Sequence, residues 1–181
     1  MKEHKIVFTG TMGAGKTTAI AAISEVAPVV TDVANTDASL AKERTTVGLD
    51  FGLLTLDSGD RLRLFGTPGQ NRFDFMWRIL AKDALGLVIL IDNSRPAPLD
   101  DLQVYMDGFA GELAQMPCVV GIGRTDSHPS PGIDDFSQRL HAAGLMLPVL
   151  PVDVRQRGDV VMLLEVLLAQ AEACMGAADE H

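Results

Sequence analysis

Gly10-Thr11-Met12-Gly13-Ala14-Gly15-Lys16-Thr17 fits G-x-x-x-x-G-K-[ST], the pattern of a phosphate-binding loop. An apolar run over 5–9 leads into this stretch, and a helical pattern over 18–23 follows it. A loop between a strand and a helix N-terminus binds anions, because its N–H groups and the helix dipole both favour phosphate. In such a loop Lys16 bridges the terminal phosphates and Thr17 ligates Mg²⁺. We therefore predict a nucleotide phosphate site, with an ordinary glycine-rich turn as the alternative.

Length and composition indicate one folded domain of ordinary size. The chain has 181 residues, 47% of them hydrophobic and 22% charged, so we expect a single domain over 1–181. Its core should span about 4–174, followed by a short C-terminal tail. The net charge of -9 argues against nucleic acid or an anionic membrane as the main partner.

The location that we expect is the cytoplasm. The longest apolar run, Ala84 to Ile91, has the length of a core strand, so we expect no stable membrane anchor. The N-terminal residues have no signal-peptide pattern. Cys118 and Cys174 lie far apart in the sequence and are interpreted as idle thiols in a reducing compartment.

Strand-like apolar runs alternate with helical patterns, which predicts an α/β fold with a six-stranded, mainly parallel sheet flanked by helices. The predicted strands are 4–9, 47–57, 61–66, 85–91, 117–122 and 147–151. The predicted helices are 16–26, 72–82, 99–115, 133–143 and 158–174. Ser58-Gly59-Asp60 predicts a tight turn, so one strand should be antiparallel. The long connection over 28–45 is expected to be functional, with a plain surface excursion as the alternative.

Three further segments lie at the intervals found in small Ras-like GTPases, which the chain resembles: Thr45-Thr46-Val47-Gly48, Gly66-Thr67-Pro68-Gly69-Gln70 and Gly123-Arg124-Thr125-Asp126. The phrases over 45–52 and 64–73 resemble the prokaryotic MglA and conservon-type proteins, whose second switch also lacks an aspartate. The resemblance covers about 4–170. It implies a Ras-like P-loop NTPase domain, a G domain, that binds GTP and GDP with Mg²⁺. It also implies a Roadblock/LC7-type regulatory protein as partner.

The resemblance assigns roles to residues of the two switch segments. Thr46, in the first switch, would close on Mg²⁺ and the γ-phosphate. In the second switch, Gly69 would donate its amide to the γ-phosphate and Gln70 would orient the attacking water.

The second switch departs from the family pattern, because Gly66 stands where the family has an aspartate that holds Mg²⁺ through water. Asp50 is the candidate replacement. A hairpin that turns at 58–60 places Gly52 opposite Gly66, with Asp50 two residues away on the same face. The alternative is a structural Asp50, since Rab-like relatives with an intact second switch often carry aspartate there.

Met12 is a second departure, because fast GTPases usually have glycine at that loop position. The resemblance therefore implies that hydrolysis is slow unless a partner assists. Arg44 and Arg72 flank the two switches, and either could supply a catalytic arginine in cis. Ordinary surface arginines are the alternative.

The segment that would read the base also departs from the family pattern. Asp126 would accept guanine N1–H and N2–H₂, and Arg124 could cover the face of the base. Gly123 replaces the family's asparagine, which weakens the expected preference for guanine. Asp153 and Val154 match the position whose backbone amides meet the base oxygen. A capping or turn role is the alternative for Asp126.

Two other groups of residues receive predictions. Phe73, Phe75, Met76 and Trp77 follow the second switch, and we expect half of this cluster to pack in the core. Phe73, Phe75 and Trp77 are expected to give a partner a place to dock. Asp92-Asn93-Ser94 is expected to serve loop structure rather than catalysis.

The complete set of predicted nucleotide contacts is Gly10, Gly13, Ala14, Gly15, Lys16, Thr17, Thr18, Gly69, Arg124, Asp126, Asp153 and Val154. Thr17, Thr46 and Asp50 are the predicted metal residues, and Gln70, Lys16 and Arg44 the predicted catalytic ones. The expected function is a GTP-binding switch with slow hydrolysis. A nucleotide-binding module that barely hydrolyses, and ATP as the ligand, are the alternatives. A P-loop small-molecule kinase is disfavoured by the antiparallel strand.

Overall fold

A seven-stranded sheet lies at the centre of the computed structural model, which describes residues 1–27, 29–34, 46–68 and 74–179. The strands are β1 (Glu3–Gly10), β2 (Val29–Ala34), β3 (Thr46–Thr55), β4 (Arg61–Gly66), β5 (Gly86–Asp92), β6 (Cys118–Gly123) and β7 (Val149–Pro151). Their spatial order is β2-β3-β4-β1-β5-β6-β7. β3 runs antiparallel to both of its neighbours, and the other pairs are parallel. The predicted α/β sheet with one antiparallel strand is confirmed.

β2 adds a seventh, edge strand to the six that the sequence predicts. It lies within the long connection after the first helix and pairs with β3 from Val29 opposite Phe51 to Ala34 opposite Thr46. Val29, Val30 and Val33 are β-branched, which suits a strand. The local pattern is short and does not alternate, so its pairing depends on the exposed edge that β3 offers.

The helices are α1 (Lys16–Ile23), α2 (Asp74–Ala81), α3 (Pro98–Gly108), α4 (Ala110–Leu113), α5 (Ile133–Ala142) and α6 (Arg157–Asp179). The single helix predicted over 99–115 is therefore two helices. They separate at Phe109, which has a φ of -112° and a fully buried side chain. Gly108 lies so close to Trp77 that an added Cβ would be 2.9 Å from the indole ring. Close packing at this point interrupts the helix.

Each face of the sheet carries its own apolar core. Ile6 and Phe8 point to the face covered by α1 and α6, whereas Val7 between them points to the face covered by α2, α3 and α5. Every residue of β5 is buried, as expected for a central parallel strand with helices on both sides. The five parallel strands β1, β4, β5, β6 and β7 therefore end at the same edge of the sheet, where α/β proteins form ligand sites.

α6 corrects the expectation that no segment of the chain reaches membrane-spanning length. By length and composition alone, Arg157–Ala178 could cross a membrane, with a mean hydropathy of 1.7 and 28% of that window buried. One face of the helix fills the core through Val160, Leu163, Leu164, Leu167 and Ala171. These five residues attach the helix to the core on the side of the sheet that α1 also covers. The helix also continues five residues past the predicted end of the core.

Candidate functional site

A cavity of about 1120 Å³ opens at the edge where the parallel strands end. Most of the predicted site residues line it: Gly13, Ala14, Gly15, Lys16, Thr17, Thr18, Asp50, Arg124, Asp126, Asp153 and Val154. Gly10 lies at the end of β1, and Thr46 begins β3. Arg44, Gly69, Gln70, Arg72 and Phe73 lie outside the described residues, so their roles stay predictions.

Glycines at both ends of the phosphate-binding loop are required by the close approach of neighbouring chain segments. An added Cβ at Gly10 would lie 2.3 Å from the carbonyl oxygen of Leu90 on β5. At Gly15, which has a φ of 98°, it would lie 2.6 Å from a methyl group of Val154. No side chain fits at either distance, so the loop holds its shape between β5 and the segment after β7.

Lys16 is a buried lysine whose ammonium faces its own loop. Its Nζ donates to the carbonyl oxygens of Gly10 and Thr11, at 2.5 and 2.9 Å, and the residue is 8% exposed. Burial lowers the pKa of Lys16 to about 8, and the Asp50 carboxylate opposes part of that shift. A phosphate in the cavity would supply the negative charge that this buried cation lacks.

Asp50 and Thr17 form the polar pair beside Lys16. The hydroxyl of Thr17 donates to Oδ2 of Asp50 at 2.7 Å. Asp50 lies directly opposite Gly66 in the β3–β4 pairing, so the prediction that Gly52 faces Gly66 is wrong by two residues. The hairpin turns within 56–60, and Thr55 already pairs with Arg61.

The correct register places the Asp50 carboxylate against the position of the missing aspartate. An added Cβ at Gly66 would lie 3.0 Å from both Cβ and Oδ2 of Asp50. A side chain at 66 and the carboxylate at 50 therefore compete for the same space. A hydroxyl and a carboxylate are the hard oxygen ligands that Mg²⁺ prefers.

A divalent cation here would depend on its nucleotide for further ligands. Among the residues that the structure describes, no group of three or more His, Cys, Asp or Glu side chains gathers to hold a metal ion. Mg²⁺ is commonly bound by one or two protein oxygens together with phosphate oxygens and water. Thr17 and Asp50 fit that donor set.

The opposite end of the cavity begins where β6 ends. Arg124 has a φ of 61° and pairs through its guanidinium with Asp92, which is 7% exposed. Asp126 is exposed, and within the described part of the chain its carboxylate accepts no hydrogen bond. Asp126 does not cap α5, which begins after Gly132, but it lies in a turn over 125–127, as the alternative for this residue expects.

The segment after β7 differs from its prediction at Asp153. The amide N–H of Asp153 donates to the Asp159 carboxylate at 2.8 Å instead of facing the cavity. Hydrogen bonds from Arg155 hold the pKa of the Asp153 carboxyl at about 2. Asp159 reaches Asp153 from the first turn of α6, so this amide already has an acceptor and its contact with a base stays a prediction. Val154 packs on Gly15.

Asp92 lines the cavity although the sequence pattern does not single it out as a site residue. A usable signal is present, because a charged residue directly follows the fully buried apolar run of β5. In a parallel sheet such a residue lies at the edge where ligands bind.

Trp77 corrects the predicted docking cluster. It is 2% exposed, its indole N–H donates to the carbonyl of Pro68 at 3.2 Å, and its ring stacks on Tyr105 and Phe109. Trp77 therefore anchors α2 to the core and is not free to dock a partner. Phe75 is 60% exposed on the same helix.

Comparison with known proteins finds distant relatives, and no protein-family model matches the chain. The Ras-related protein Rab-7L1 of Rattus norvegicus is 26% identical over 134 residues, which are 69% of this chain and 60% of the relative. The Ras-related protein Rab-12 of Mus musculus is 25% identical over 118 residues, or 62% of this chain and 44% of the relative. An uncharacterized protein of Methanocaldococcus jannaschii, MJ1339, is 26% identical over 124 residues, which are 68% of this chain and 71% of the relative.

These relatives support a GTP-binding, Ras-like small GTPase. The sheet is that of a Ras-like P-loop NTPase. The chain spans 60% of the length of Rab-7L1 and 44% of the length of Rab-12. An activity of the whole relatives is therefore only proposed for this chain. The finer resemblance to MglA and conservon-type proteins stays a prediction.

Proposed function

We propose that this protein is a Ras-like molecular switch that binds GTP and GDP with Mg²⁺ and hydrolyses GTP slowly. The observation that carries the proposal is the buried Lys16 ammonium at the floor of a large cavity, held by a glycine-rich loop. Burial already lowers the pKa of Lys16, so a phosphate that compensates its charge gains more there than at the surface. The loop amides and the N-terminus of α1 add to the same attraction.

Mg²⁺ would be held by Thr17 and Asp50, together with Thr46 of the first switch. When bound, the ion neutralises charge on the phosphate oxygens. Asp50 supports this assignment because it occupies the space next to Gly66 and already pairs with Thr17. Thr46 begins the same strand, four residues before Asp50.

Guanine should be preferred over adenine because Asp126 pairs with two donors that adenine lacks. Asp126→Ala should lower the ratio of GDP to ADP affinity by about tenfold, within the 1–3 kcal/mol typical of a lost partner. Competition titrations of both nucleotides measure that ratio. Asp57→Ala is the matched control, since Asp57 is an exposed carboxylate in the β3–β4 turn. Equal GDP and ADP affinity in the unchanged protein would exclude Asp126 as a base reader.

Hydrolysis would proceed by phosphoryl-transfer chemistry, with Gln70 placing the water and Arg44 or a partner's arginine stabilising the developing charge. Single-turnover incubation of the GTP complex with Mg²⁺ should show slow conversion to GDP and a faster rate when cell extract is added. Gln70→Leu should keep GTP bound in both conditions. Fast turnover by the protein alone, or stimulated turnover of Gln70→Leu, would contradict this mechanism.

A nucleotide-binding module with little hydrolysis is the second candidate function. Met12 favours it, because this methionine is 61% exposed at the cavity where a fast enzyme needs room for an arginine. The single-turnover measurement separates the two functions, since a module would keep GTP even with extract present. If adenine nucleotides are the ligands, the titrations should show tighter binding of ADP than of GDP.

A Roadblock/LC7-type regulator and a cytoplasmic location complete the proposal. The regulator rests on the family resemblance alone, and the location rests on the family resemblance and on composition. Nucleic acid is not proposed as a partner, because the net charge of -9 is unfavourable for binding phosphate backbones.

A further inference from the structure

The side chain of Asp92, at the end of β5, binds the segment that carries Asp126. Asp92 is buried, and both of its carboxylate oxygens are used. Oδ1 accepts the amide and the hydroxyl of Ser94 at 2.9 and 2.6 Å, and Oδ2 accepts the guanidinium of Arg124. The Arg124 side chain is 55% exposed, so a buried anion holds the tip of a side chain that otherwise faces the cavity.

Asn93 fastens the far end of the same segment. Its side-chain amide donates to the carbonyl oxygens of His128 and Pro131, at 2.6 and 2.9 Å, and the residue is 3% exposed. Its backbone N–H donates to Gly123, the position that lacks the family's asparagine. Asp92, the last residue of β5, and Asn93, the residue after it, therefore hold the segment from both ends, and Asp126 lies between the two attachments.

Arg124 has a competing partner within reach along the chain. Asp153 and Arg155 show that an aspartate and an arginine two residues apart form a double hydrogen bond in this protein, at 2.9 and 2.8 Å. Arg124 and Asp126 have the same spacing, with the order of the two residue types reversed, and line the same cavity. If Arg124 paired with Asp126, the carboxylate that should read guanine would already be occupied.

We propose that Asp92 is a specificity-determining positioning residue, which captures the Arg124 guanidinium and so keeps the Asp126 carboxylate free for the base. This inference rests on the proposed function, because it assigns a role within guanine recognition. Asp92 prevails over Asp126 because it is buried and rigid, so its charge is less screened and its geometry is fixed by Ser94.

The test is a double-mutant cycle with Asp92→Asn and Arg124→Ala, read as the ratio of GDP to ADP affinity. Asp92→Asn releases Arg124 to pair with Asp126, so the ratio should fall by about tenfold, as for the loss of Asp126 itself. Arg124→Ala should lower the affinities for GDP and ADP by a similar factor and so keep their ratio, since stacking on the base does not distinguish the purines. The double variant should have the same ratio of GDP to ADP affinity as the unchanged protein, because no guanidinium is left to pair with Asp126.

Ser94→Ala is the matched control, because it removes one bond to Asp92 and leaves the ion pair in place. Its ratio should equal that of the unchanged protein. If the double variant stays as low as Asp92→Asn, Asp92 acts on structure alone and the inference is overturned.

Arg124→Ala tests the inference even if Asp92→Asn does not fold. A lower ratio of GDP to ADP affinity in Arg124→Ala would show that the arginine itself recognises guanine, which would contradict the inference. If the unchanged protein binds both purines equally, the proposed function fails and the inference fails with it.

Discussion

Lys16→Ala is expected to lose GDP affinity by roughly two to four powers of ten while the protein stays folded. Removing one partner of a buried charge pair typically costs about 3–5 kcal/mol, and each power of ten corresponds to about 1.4 kcal/mol. Here the partner left behind is the nucleotide phosphate. Calorimetric titration with GDP measures the loss. Lys82→Ala is the matched control, because Lys82 is an exposed lysine after α2.

The pH dependence of binding separates the charge of Lys16 from its packing. The pKa of Lys16 is about 8 without a ligand, and a bound phosphate should raise it. The GDP affinity of the unchanged protein should therefore fall as pH rises above 8, by about tenfold between pH 7 and pH 9 from this group alone. Lys16→Ala should lack this pH dependence. Unchanged GDP affinity in the variant would refute the phosphate-site assignment.

The free energy of unfolding should rise with pH, whereas the affinity for GDP should fall. The pKa of Lys16 in the folded protein lies below its ordinary value of 10.5, so unfolding takes up a proton at pH values between about 8 and 10.5. Without nucleotide, the free energy of unfolding should therefore rise as pH increases from about 8 towards 10.5. Lys16→Ala removes that penalty, so we expect its melting temperature at pH 7 to be no lower than that of the unchanged protein.

Asp50→Ala is expected to weaken GTP binding about 10- to 100-fold in the presence of Mg²⁺, the range found when a group supporting a metal is removed. With excess chelator the affinity should change little, because the variant keeps Lys16 and the loop amides. Titrations with fluorescent GTP in both conditions give the two values. An equal loss in both conditions would make Asp50 structural.

Moving the carboxylate between strands tests the same assignment more sharply. Asp50→Gly combined with Gly66→Asp places the aspartate on β4, in the space that Asp50 leaves. This double variant should recover part of the Mg²⁺-dependent affinity. Gly66→Asp alone should gain no Mg²⁺-dependent affinity over the unchanged protein, because the added Cβ would crowd Asp50 at 3.0 Å and bring two carboxylates together. If the double variant binds GTP no better with Mg²⁺ than with chelator, the position next to Gly66 is not a metal site.

Local patterns predict the fold well where the signal lies within a few neighbouring residues. The stretch over 10–17 and the apolar runs of β1, β5 and β6 each determine their own structure, so the sheet and the position of the cavity follow. The hairpin register does not follow, because Ser58-Gly59-Asp60 allows more than one turn and a shift of two residues keeps every side chain on its face.

The other differences arise from contacts between residues of different elements of the fold. Trp77 has the composition of a docking residue and is buried because Tyr105 and Phe109 stack on it. The amide of Asp153 bonds a carboxylate six residues later, across the start of α6. Asp92 and Arg124 meet only because β5 and β6 are neighbours in the sheet, with Asp92 opposite Gly123. A prediction of such pairs needs the order of the strands.

The crowding between Asp50 and Gly66 also restricts how such a site can evolve. One aspartate on β3 or one on β4 can face Thr17, but the 3.0 Å contacts leave little room for both. A lineage that exchanges one arrangement for the other by single substitutions therefore passes through an ancestor with both carboxylates, in which one side chain has to turn aside, or through an ancestor with neither. Only the ancestor with neither lacks this ligand for Mg²⁺, so the order of the substitutions matters wherever Mg²⁺ is needed.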